Sequence, residues 1–325
     1  MSKQYLQTHT ISSAHPTDIF SLAVTAAHIL SASGSSSLRV HSTASAANPD
    51  TEDPYPLTQT LEGAHKLGAH HICASRDGKR AASAGFEGSV KVWEVDESGA
   101  WRSIGAIVDN AKSGEVWAIA LSEDGKYLAG TSYDGRINIW DVSTPGAEGG
   151  GKKIREFETK GSFGMSIDIS PDGALTASGH ASGSIYIFSN STGRLVHSLP
   201  GLLKPVRAVT FSPGCRYIAA AGDSKVVALY DVRSGEQVAN LSGHRSWVMS
   251  LDWSTTGEWL LSGAHDGKAK VWSIERRECV ATQTESEKTL WAVKWLPKTA
   301  GMRNETFATA GANRSISFYR EASGT

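Results

Sequence analysis

One short pattern returns along almost the whole chain. It consists of an apolar residue, any residue, a second apolar residue and an aromatic residue. The clear copies are VKVW (90–93), INIW (137–140), IYIF (185–188), VALY (227–230), AKVW (269–272) and ISFY (316–319), and a degenerate copy, LRVH, occupies 38–41. The last residues of successive copies are 42 to 52 positions apart. A repeat of that length has room for about four short strands, so the pattern indicates seven similar β units.

Strand and turn signals follow one another in the same order within each unit. In the sixth unit, WVMSLDW (247–253) alternates as a strand does, STTGE is a turn, WLLSGA is a second strand, HDGK is a tight turn, AKVW is a third strand and CVATQ (279–283) is a fourth. The third unit repeats this plan, and no segment has a convincing amphipathic helical pattern. The sequence therefore predicts an all-β, seven-bladed β-propeller that occupies residues 1–325 as a single domain.

The last unit lacks a fourth strand of its own. Only REASGT follows its closing aromatic residue, and this tail is too short and too polar for a strand. The segment QYLQTHT (4–10), which precedes the first unit, is strand-like and has no other place. We therefore expect residues 4–10 to pair with the last blade (285–319) and to join the two ends of the chain, since a closed ring leaves few free sheet edges.

Composition and charge limit the classes of function that the chain can have. The 325 residues carry a formal net charge of −1, which argues against nonspecific binding of nucleic acid. Cys73, Cys215 and Cys279 are far apart, as expected of reduced thiols and not of a disulfide frame or a zinc site. No apolar stretch resembles a secretory signal or a membrane span, so the expected setting is the cytosol or the nucleus, without membrane contact.

Enzymatic motifs are also missing from the sequence. GAEGGGKK (146–153) has the wrong spacing for a phosphate-binding loop and carries no Ser or Thr after its lysines, so a flexible insertion is the better interpretation. His65, His70 and His71 cluster without a further ligand group at metal spacing. We expect no catalytic residues, no metal and no cofactor, and hence a protein that is not an enzyme.

A His, a Ser, an acidic residue and a Trp recur at matched spacing in two units. The two sets are His244, Ser262, Asp266 and Trp272 in the sixth unit, and His65, Ser83, Glu87 and Trp93 in the second. These residues resemble those of the WD-repeat family, in which they form a buried hydrogen-bonded chain within a blade. The resemblance covers essentially the whole chain and implies that both sets are structural. Glu87 stands where the family has Asp, which puts the second set in doubt.

The remaining units depart further from this pattern. Lys112, Lys160 and Leu202 stand where His would be expected in the third, fourth and fifth units. A catalytic triad would not recur in degraded copies around a ring, whereas buried polar groups need only be satisfied by partners. The sixth-unit set is therefore predicted to be architectural, with Asp266 tying its turn to the imidazole.

The positions of the insertions indicate which face of the ring is free. The segments 42–59 and 143–153 follow third strands, and 297–305 follows a first strand, so all three should lie on one face, the bottom. The top face carries the links from fourth to first strands and from second to third strands. These links are short. Short loops on the top face leave the central opening of the propeller, the mouth, accessible to a bound peptide.

The second position of each first strand is expected to line that mouth. These residues are Phe20, His70, Trp117, Met165, Arg207, Met249 and Trp291. Further top-face candidates are Trp247, Tyr133, His265, Phe163 and Glu115, together with Asp18 and Phe86. Aromatic residues, Met and Arg are enriched in interface cores, so the ring is predicted to bind a partner. The alternative is that Trp117 and Trp291 merely fill the core between blades.

Longer stretches resemble a narrower group of proteins. QYLQTHTISSAHPTDIFSL, GEVWAIALSEDGKYLAGTSYDGRINIWDV, GSFGMSIDISPDGALTASG, KPVRAVTFSP, LSGHRSWVMSLDW and TLWAVKW occur in that order. Together they resemble the WD-repeat subunits of the fungal superkiller complex. The resemblance implies a non-catalytic scaffold subunit beside a TPR-repeat scaffold and a DExH RNA helicase, in a complex that feeds RNA to the cytoplasmic exosome for 3′-to-5′ mRNA decay.

The same resemblance implies a second, nuclear role. Fungal members of this group are partners of the topoisomerase-like meiotic DNA double-strand-break protein, so a cytoplasmic and nuclear location is expected. In that group a short segment with Gln-Arg and nearby apolar residues docks on the top face. For this chain, the resemblance implies that the predicted mouth ring binds such a segment. The chain itself is expected to make no direct contact with nucleic acid.

A different class of function remains open. The chain could be a substrate-recognition adaptor, either of a ubiquitin ligase or as a reader of histone tails. A reader of methyl-lysine needs an acidic and aromatic cage, for which Glu115, Trp117 and Tyr133 offer only a poor set. An adaptor would be expected to carry an extra docking segment outside the propeller, and none is visible in the sequence.

Overall fold

Twenty-eight β-strands account for the regular structure of the chain in a computed structural model that describes residues 3–46, 51–107, 116–144, 150–298 and 304–322. The strands are β1 (Tyr5–Ile11), β2 (Ile19–Val24), β3 (His28–Ser33), β4 (Leu38–Ser42), β5 (Leu57–Leu61), β6 (Ala69–Ala74), β7 (Arg80–Gly85), β8 (Val90–Val95), β9 (Trp101–Ile107), β10 (Val116–Leu121), β11 (Tyr127–Ser132), β12 (Ile137–Asp141), β13 (Lys152–Phe157), β14 (Gly164–Ile169), β15 (Leu175–His180), β16 (Ile185–Ser189), β17 (Leu195–Leu199), β18 (Val206–Phe211), β19 (Tyr217–Gly222), β20 (Val226–Asp231), β21 (Gln237–Ser242), β22 (Val248–Trp253), β23 (Trp259–Ala264), β24 (Lys268–Ser273), β25 (Glu278–Thr284), β26 (Leu290–Trp295), β27 (Thr306–Gly311) and β28 (Ile316–Glu321).

These strands form seven antiparallel sheets of four strands each, which are the blades of a propeller. Blade 1 contains β2 to β5, blade 2 β6 to β9, blade 3 β10 to β13, blade 4 β14 to β17, blade 5 β18 to β21 and blade 6 β22 to β25. Blade 7 contains β26, β27, β28 and β1. The predicted all-β, seven-bladed architecture is confirmed. Within the described ranges, no helix is long and apolar enough to cross a membrane.

The ring closes through its N-terminal strand. β1 pairs antiparallel with β28, from Tyr5 opposite Glu321 to Ile11 opposite Ile316. This closure of the last blade was predicted, although the strand begins and ends one residue later than expected and the blade runs from Leu290 to Glu321. Tyr5 is 3% exposed and packs its ring 5.1 Å from that of Phe307. Closure therefore couples strand pairing to a buried aromatic contact.

The second strand of each blade is almost fully buried, and its composition explains how the blades come together. RAASAG in β7, YIAAAG in β19 and TFATAG in β27 are rich in small residues. A Cβ atom placed on Gly263 in β23 would lie 2.5 Å from Val293 in the next blade. Small side chains at these positions let the first strand of the following blade approach closely, and a larger one would push the two blades apart.

The links that carry the three insertions leave and re-enter their sheets on the bottom face, as the strand order requires. Because neighbouring strands are antiparallel, links after the first and third strands of a blade emerge on one side and the other links emerge opposite. The links from β4 to β5, from β12 to β13 and from β26 to β27 are all of the first kind. Residues 47–50, 145–149 and 299–303 of these links lie outside the described residues.

Candidate functional site: the central mouth

The seven predicted ring residues line one central cavity. Each is the second residue of the first strand in its blade, in β2, β6, β10, β14, β18, β22 and β26. All seven border a cavity of about 590 Å³ that runs along the axis of the propeller. The structure thus places all seven residues around one cavity, and their partner-binding role stays a prediction.

Most of the mouth is lined by a continuous series of ring-bearing side chains, which we call the aromatic arc. The ring centroids are 5.5 Å apart for Trp291 and Phe20, 5.5 Å for Phe20 and Phe86, 5.0 Å for Phe86 and His70, 4.5 Å for His70 and Trp117, 5.3 Å for Trp117 and Phe163, and 4.3 Å for Phe163 and Tyr133. Trp117 and Trp291 are only partly buried, and Trp117 also packs against the core cluster between blades 3 and 4. The arc fixes its rings against one another and leaves apolar surface open to the mouth.

The opposite side of the mouth has one charged residue, Arg207, between Met165 and Met249. The guanidinium of Arg207 forms an ion pair with Asp223 through Nε and donates a second hydrogen bond from Nη2 to Oδ2 at 3.2 Å. The same guanidinium lies 4.9 Å from the centre of the Trp247 ring, which in turn makes an edge contact with His265. Trp247 is 42% exposed. Arg207 is therefore held by both a carboxylate and an aromatic face.

Phe86 also lines the cavity, whereas five other predicted top-face residues are not part of its lining: Trp247, Tyr133, Phe163, His265 and Asp18. Tyr133 is 61% exposed and stacks on Phe163, which separates it from Trp117. Asp18 accepts a hydrogen bond from Trp291 Nε1 at 3.2 Å and so joins blade 1 to blade 7. Glu115 lies outside the described residues. The described rings thus form a series of stacked and edge-on contacts in which Phe163 touches both Trp117 and Tyr133, so these two rings do not enclose a common cage.

Sequence reasoning missed the lower part of the cavity, the channel floor. It consists of the fifth residues of the first strands: Ala23, Cys73, Ala120, Asp168, Thr210, Asp252 and Lys294. Lys294 Nζ lies 2.8 Å from Asp252 Oδ1, and Asp252 Oδ2 accepts the backbone N–H of Trp295 at 2.7 Å. The mouth ring is the second residue of each first strand, and the channel floor is the fifth. Counting three residues further along each strand would have identified this set from the sequence.

Burial governs the protonation of the side chains in the channel. It raises the pKa of Asp168 to about 6, although the carboxylate accepts the backbone N–H of Phe211 at 2.8 Å. Burial also raises the pKa of the Cys73 thiol to about 12 and lowers the pKa of His70 to about 4. At neutral pH the mouth therefore contains a neutral His70 imidazole above a floor with the Asp168 carboxylate and an un-ionised Cys73 thiol.

The sixth-unit set forms a hydrogen-bonded chain in the core of its blade. Ser262 Oγ lies 2.7 Å from His244 Nε2 and accepts a hydrogen bond from Trp272 Nε1 at 2.8 Å. Asp266 lies 3.5 Å from His244 Nδ1, without hydrogen-bond geometry, and accepts the backbone N–H of Arg245 at 2.8 Å. Asp266 therefore fixes the turn through the backbone N–H of Arg245 and also lies beside the imidazole of His244, at a longer distance.

The second-unit set is complete despite its glutamate. His65 Nδ1 lies 2.6 Å from Glu87 Oε1, and Ser83 Oγ lies within 2.9 Å of both His65 Nε2 and Trp93 Nε1. Burial would raise the pKa of Glu87, but hydrogen bonds from Ser89 and His65 hold it at about 2. The longer glutamate reaches the imidazole more closely than Asp266 does, so the doubt about this set is removed.

Three other blades have their own versions of this chain, which the search at a fixed spacing missed. In blade 1, His15 Nε2 lies 2.8 Å from Ser31 Oγ, and in blade 4 His180 Nε2 lies 2.9 Å from Ser178 Oγ. In blade 7, Glu285 replaces the imidazole and accepts a 2.6 Å hydrogen bond from Ser317 Oγ. A buried acceptor and donor are kept while the residue type and its position change, which favours an architectural role.

Replacement of Ser262 by Ala tests that role. It would leave the buried groups His244 Nε2 and Trp272 Nε1 without their shared partner, so we expect the free energy of unfolding to fall by about 2–4 kcal/mol. Chemical denaturation followed by circular dichroism measures the loss. Ser191→Ala, at an exposed position in the link from β16 to β17, is the matched control and should be nearly neutral. Equal stability of the two variants would contradict the architectural role.

No metal centre emerges from the described residues, in which no group of three His, Cys, Asp or Glu side chains could hold an ion. The three clustered histidines have separate surroundings. His65 belongs to the blade 2 chain, His70 stacks on Trp117, and His71 Nδ1 accepts the backbone N–H of Ile119 at 2.9 Å.

Comparisons with known proteins agree with this architecture and are more specific. The model of the WD domain, G-beta repeat, matches residues 56–94, 104–141, 193–231 and 235–273, which defines the class as a WD-repeat propeller. The chain is 41% identical over 323 residues to the meiotic recombination protein rec14 of Schizosaccharomyces pombe, with 99% of both chains covered. It is 30% identical over 214 residues to the antiviral protein SKI8 of Saccharomyces cerevisiae, covering 51% of this chain and 54% of that protein. The chain belongs to the WD-repeat family of rec14 and SKI8.

Proposed function

We propose that this chain is a non-catalytic scaffold subunit of a superkiller-type complex. It binds a TPR-repeat scaffold and supports the DExH RNA helicase that feeds RNA to the cytoplasmic exosome for 3′-to-5′ mRNA decay. A second role in assembling the meiotic double-strand-break complex, with the topoisomerase-like protein as partner, belongs to the same proposal. Its support is the family membership, because one relative is named for meiotic recombination and another is SKI8.

The observation that carries the proposal is the open aromatic arc. Its rings are positioned by contacts with one another, and Trp117, Trp291 and Phe20 are only partly buried although each is large and apolar. Rigid aromatic side chains in a concave site provide contact area at low entropic cost, which is typical of interface hot spots. A partner segment with apolar side chains would cover this surface.

Electrostatics favour a basic residue in the same partner segment. The carboxylates of Asp18 and Asp223 border the mouth, and those of Asp168 and Asp252 lie on the channel floor. The cations Arg207 and Lys294 offset only part of this charge, since each is already engaged by one of these carboxylates. An incoming Arg or Lys would meet a site with surplus negative charge, in keeping with the Gln-Arg segment that the resemblance implies.

This function would place the chain in the cytoplasm with the RNA-decay complex and in the nucleus with the meiotic complex. The alternative of a ubiquitin-ligase adaptor or histone-tail reader has less support. A methyl-lysine cage needs rings that surround a common centre, whereas Phe163 lies between Trp117 and Tyr133.

Reconstitution tests the proposal. The full chain is co-expressed with the TPR-repeat scaffold and the DExH helicase of the same organism, and the mixture is separated by size-exclusion chromatography. We expect the three proteins to elute together, and the chain alone to leave a labelled single-stranded RNA unshifted at low salt. A parallel co-expression with the topoisomerase-like meiotic protein tests the second role. Separate elution of the chain from the scaffold and helicase would overturn the RNA-decay role.

A further inference from the structure

The joint between blades 7 and 1 is built differently from the joints around it. At several other joints, a first-strand side chain bonds to the backbone of the next first strand. Ser21 accepts the N–H of Ile72 at 3.2 Å, and Ser250 accepts the N–H of Val293 at 3.2 Å. Together with His71 and Asp168, these contacts tie blade 1 to 2, 2 to 3, 4 to 5 and 6 to 7.

Blade 7 cannot make such a bond to blade 1. The corresponding position in β26 is Ala292, which has no polar group, as is also true of Ala118 in β10 and Ala208 in β18. Lys294 of β26 pairs with Asp252 of the preceding blade. Among the described hydrogen bonds, none links the first strands β26 and β2. The described bonds across this joint lie at its top, where Trp291 donates to Asp18 and Arg314 donates to the carbonyl of Pro16 at 3.1 Å.

A segment of the bottom face covers the same joint. Residues 51–56 belong to the link from β4 to β5 in blade 1, yet the ring of Tyr55 stacks on Phe318 of blade 7, with centroids 3.6 Å apart and planes 5° apart. The ring also lies 5.9 Å from that of His9 in β1. Tyr55 is 7% exposed and joins an apolar cluster that includes Ile19 and Ala308 from the two blades.

The joint runs directly beneath one contact of the aromatic arc. Trp291 belongs to blade 7 and Phe20 to blade 1, and their centroids are 5.5 Å apart. Separation of the two blades would therefore break the arc at this contact. The packing of Tyr55 on the bottom and the position of Trp291 on the top depend on the same interface.

We propose that residues 51–56 act as a latch on the joint between blades 7 and 1, and that release of Tyr55 loosens this joint and displaces the Trp291 end of the aromatic arc. The device couples the bottom face to the mouth across the thickness of the propeller. A ligand that displaces Tyr55 from Phe318 would change the mouth without touching it. This coupling belongs to the chain alone and does not rest on the proposed partners.

Hydrogen exchange of the full chain tests the first half of the proposal. In Tyr55→Ala, amides in β1, β2, β26 and β28 should exchange roughly tenfold faster, because a buried stacked aromatic contact is lost from one joint, while those of blades 3 to 5 should not change. Tyr186→Ala removes an equally buried tyrosine from blade 4 and is the matched control, which should leave the blade 7 and blade 1 strands unchanged. Tyr55→Leu, which keeps bulk without the stack, serves if the alanine variant does not fold.

Fluorine NMR tests the second half. Proteins labelled with 5-fluorotryptophan are compared, and the Trp291 resonance is assigned with Trp291→Phe. We expect this resonance to shift or broaden in Tyr55→Ala, while that of Trp117, on the far side of the arc, stays in place. Unchanged Trp291 in a variant whose joint exchanges faster would overturn the coupling. Faster exchange confined to residues 51–61, or spread equally over all seven blades, would overturn the latch.

Discussion

Deletion of residues 1–11 is expected to destabilise the whole ring. The deletion removes the β1 strand, with the buried ring of Tyr5 and the ion pair between Lys3 and Glu321 at 2.7 Å. Loss of a buried aromatic side chain alone costs about 3–5 kcal/mol, and the deletion also exposes the edge of β28. Since 1 kcal/mol corresponds to roughly 1.5 °C in a chain of 325 residues, we expect the melting temperature to fall by about 5 °C or more.

Circular dichroism at a fixed scan rate measures this change, because a chain of this size is prone to irreversible unfolding. Two point variants separate the packing of β1 from its mere presence. Tyr5→Ala should retain much of the destabilisation, whereas Leu6→Ser, at a position that is 52% exposed on the same strand, should have little effect. A truncated chain that melts like the full chain would contradict a closing role for β1.

Simultaneous replacement of Trp117 and Trp291 by Ala is expected to abolish capture of the TPR-repeat scaffold and the helicase. The two rings stand at separate places in the aromatic arc, beside His70 and Phe20 respectively. Each buried Trp in an interface hot spot is worth about 2 kcal/mol or more. Even with incomplete additivity, the pair should weaken binding at least ~100-fold. Affinity purification from cells, followed by mass spectrometry, measures the loss.

Two controls keep this result interpretable. Tyr127→Ala removes an aromatic side chain that is 40% exposed at the start of β11, on the bottom side, and should leave capture intact. The melting temperature of the double variant shows whether the ring persists, and Trp291→Phe with Trp117→Leu replaces it if folding fails. Retention of both partners by a folded double variant would refute the assignment of the mouth.

The repeat pattern predicted the fold because each blade is built from the same sequence of strand and turn signals. Alternating apolar residues, Gly-containing turns and a closing aromatic residue are local signals, and they gave the blades, the closing role of β1 and the bottom position of the insertions. The same register located the mouth ring, since the second residue of every first strand points toward the axis. The family resemblance was also visible in the residues, and the comparisons with known proteins support it.

The search for the hydrogen-bonded set at one fixed sequence spacing failed in blades where a different polar residue, or a different position, supplies the bond. His244 and His65 stand 28 residues before the closing Trp of their units. His15 and His180 reach serine hydroxyls from other positions, and Glu285 replaces an imidazole altogether. Asp266 lies 3.5 Å from His244 Nδ1, whereas Glu87 lies 2.6 Å from His65 Nδ1. Hydrogen-bond satisfaction constrains atoms in space, so it tolerates changes of residue that a search by sequence position does not.

The sequence by itself determined the number of blades, the N-terminal closure and the residue types that surround the axis, because period, alternation and turn chemistry are properties of contiguous residues. Only the tertiary structure decided which rings touch, that Arg207 is held by Asp223 and Trp247, that Lys294 pairs with Asp252, and that Tyr55 crosses to Phe318. These contacts join residues from different blades or from distant turns, and their geometry depends on how closely the seven sheets pack around a common axis.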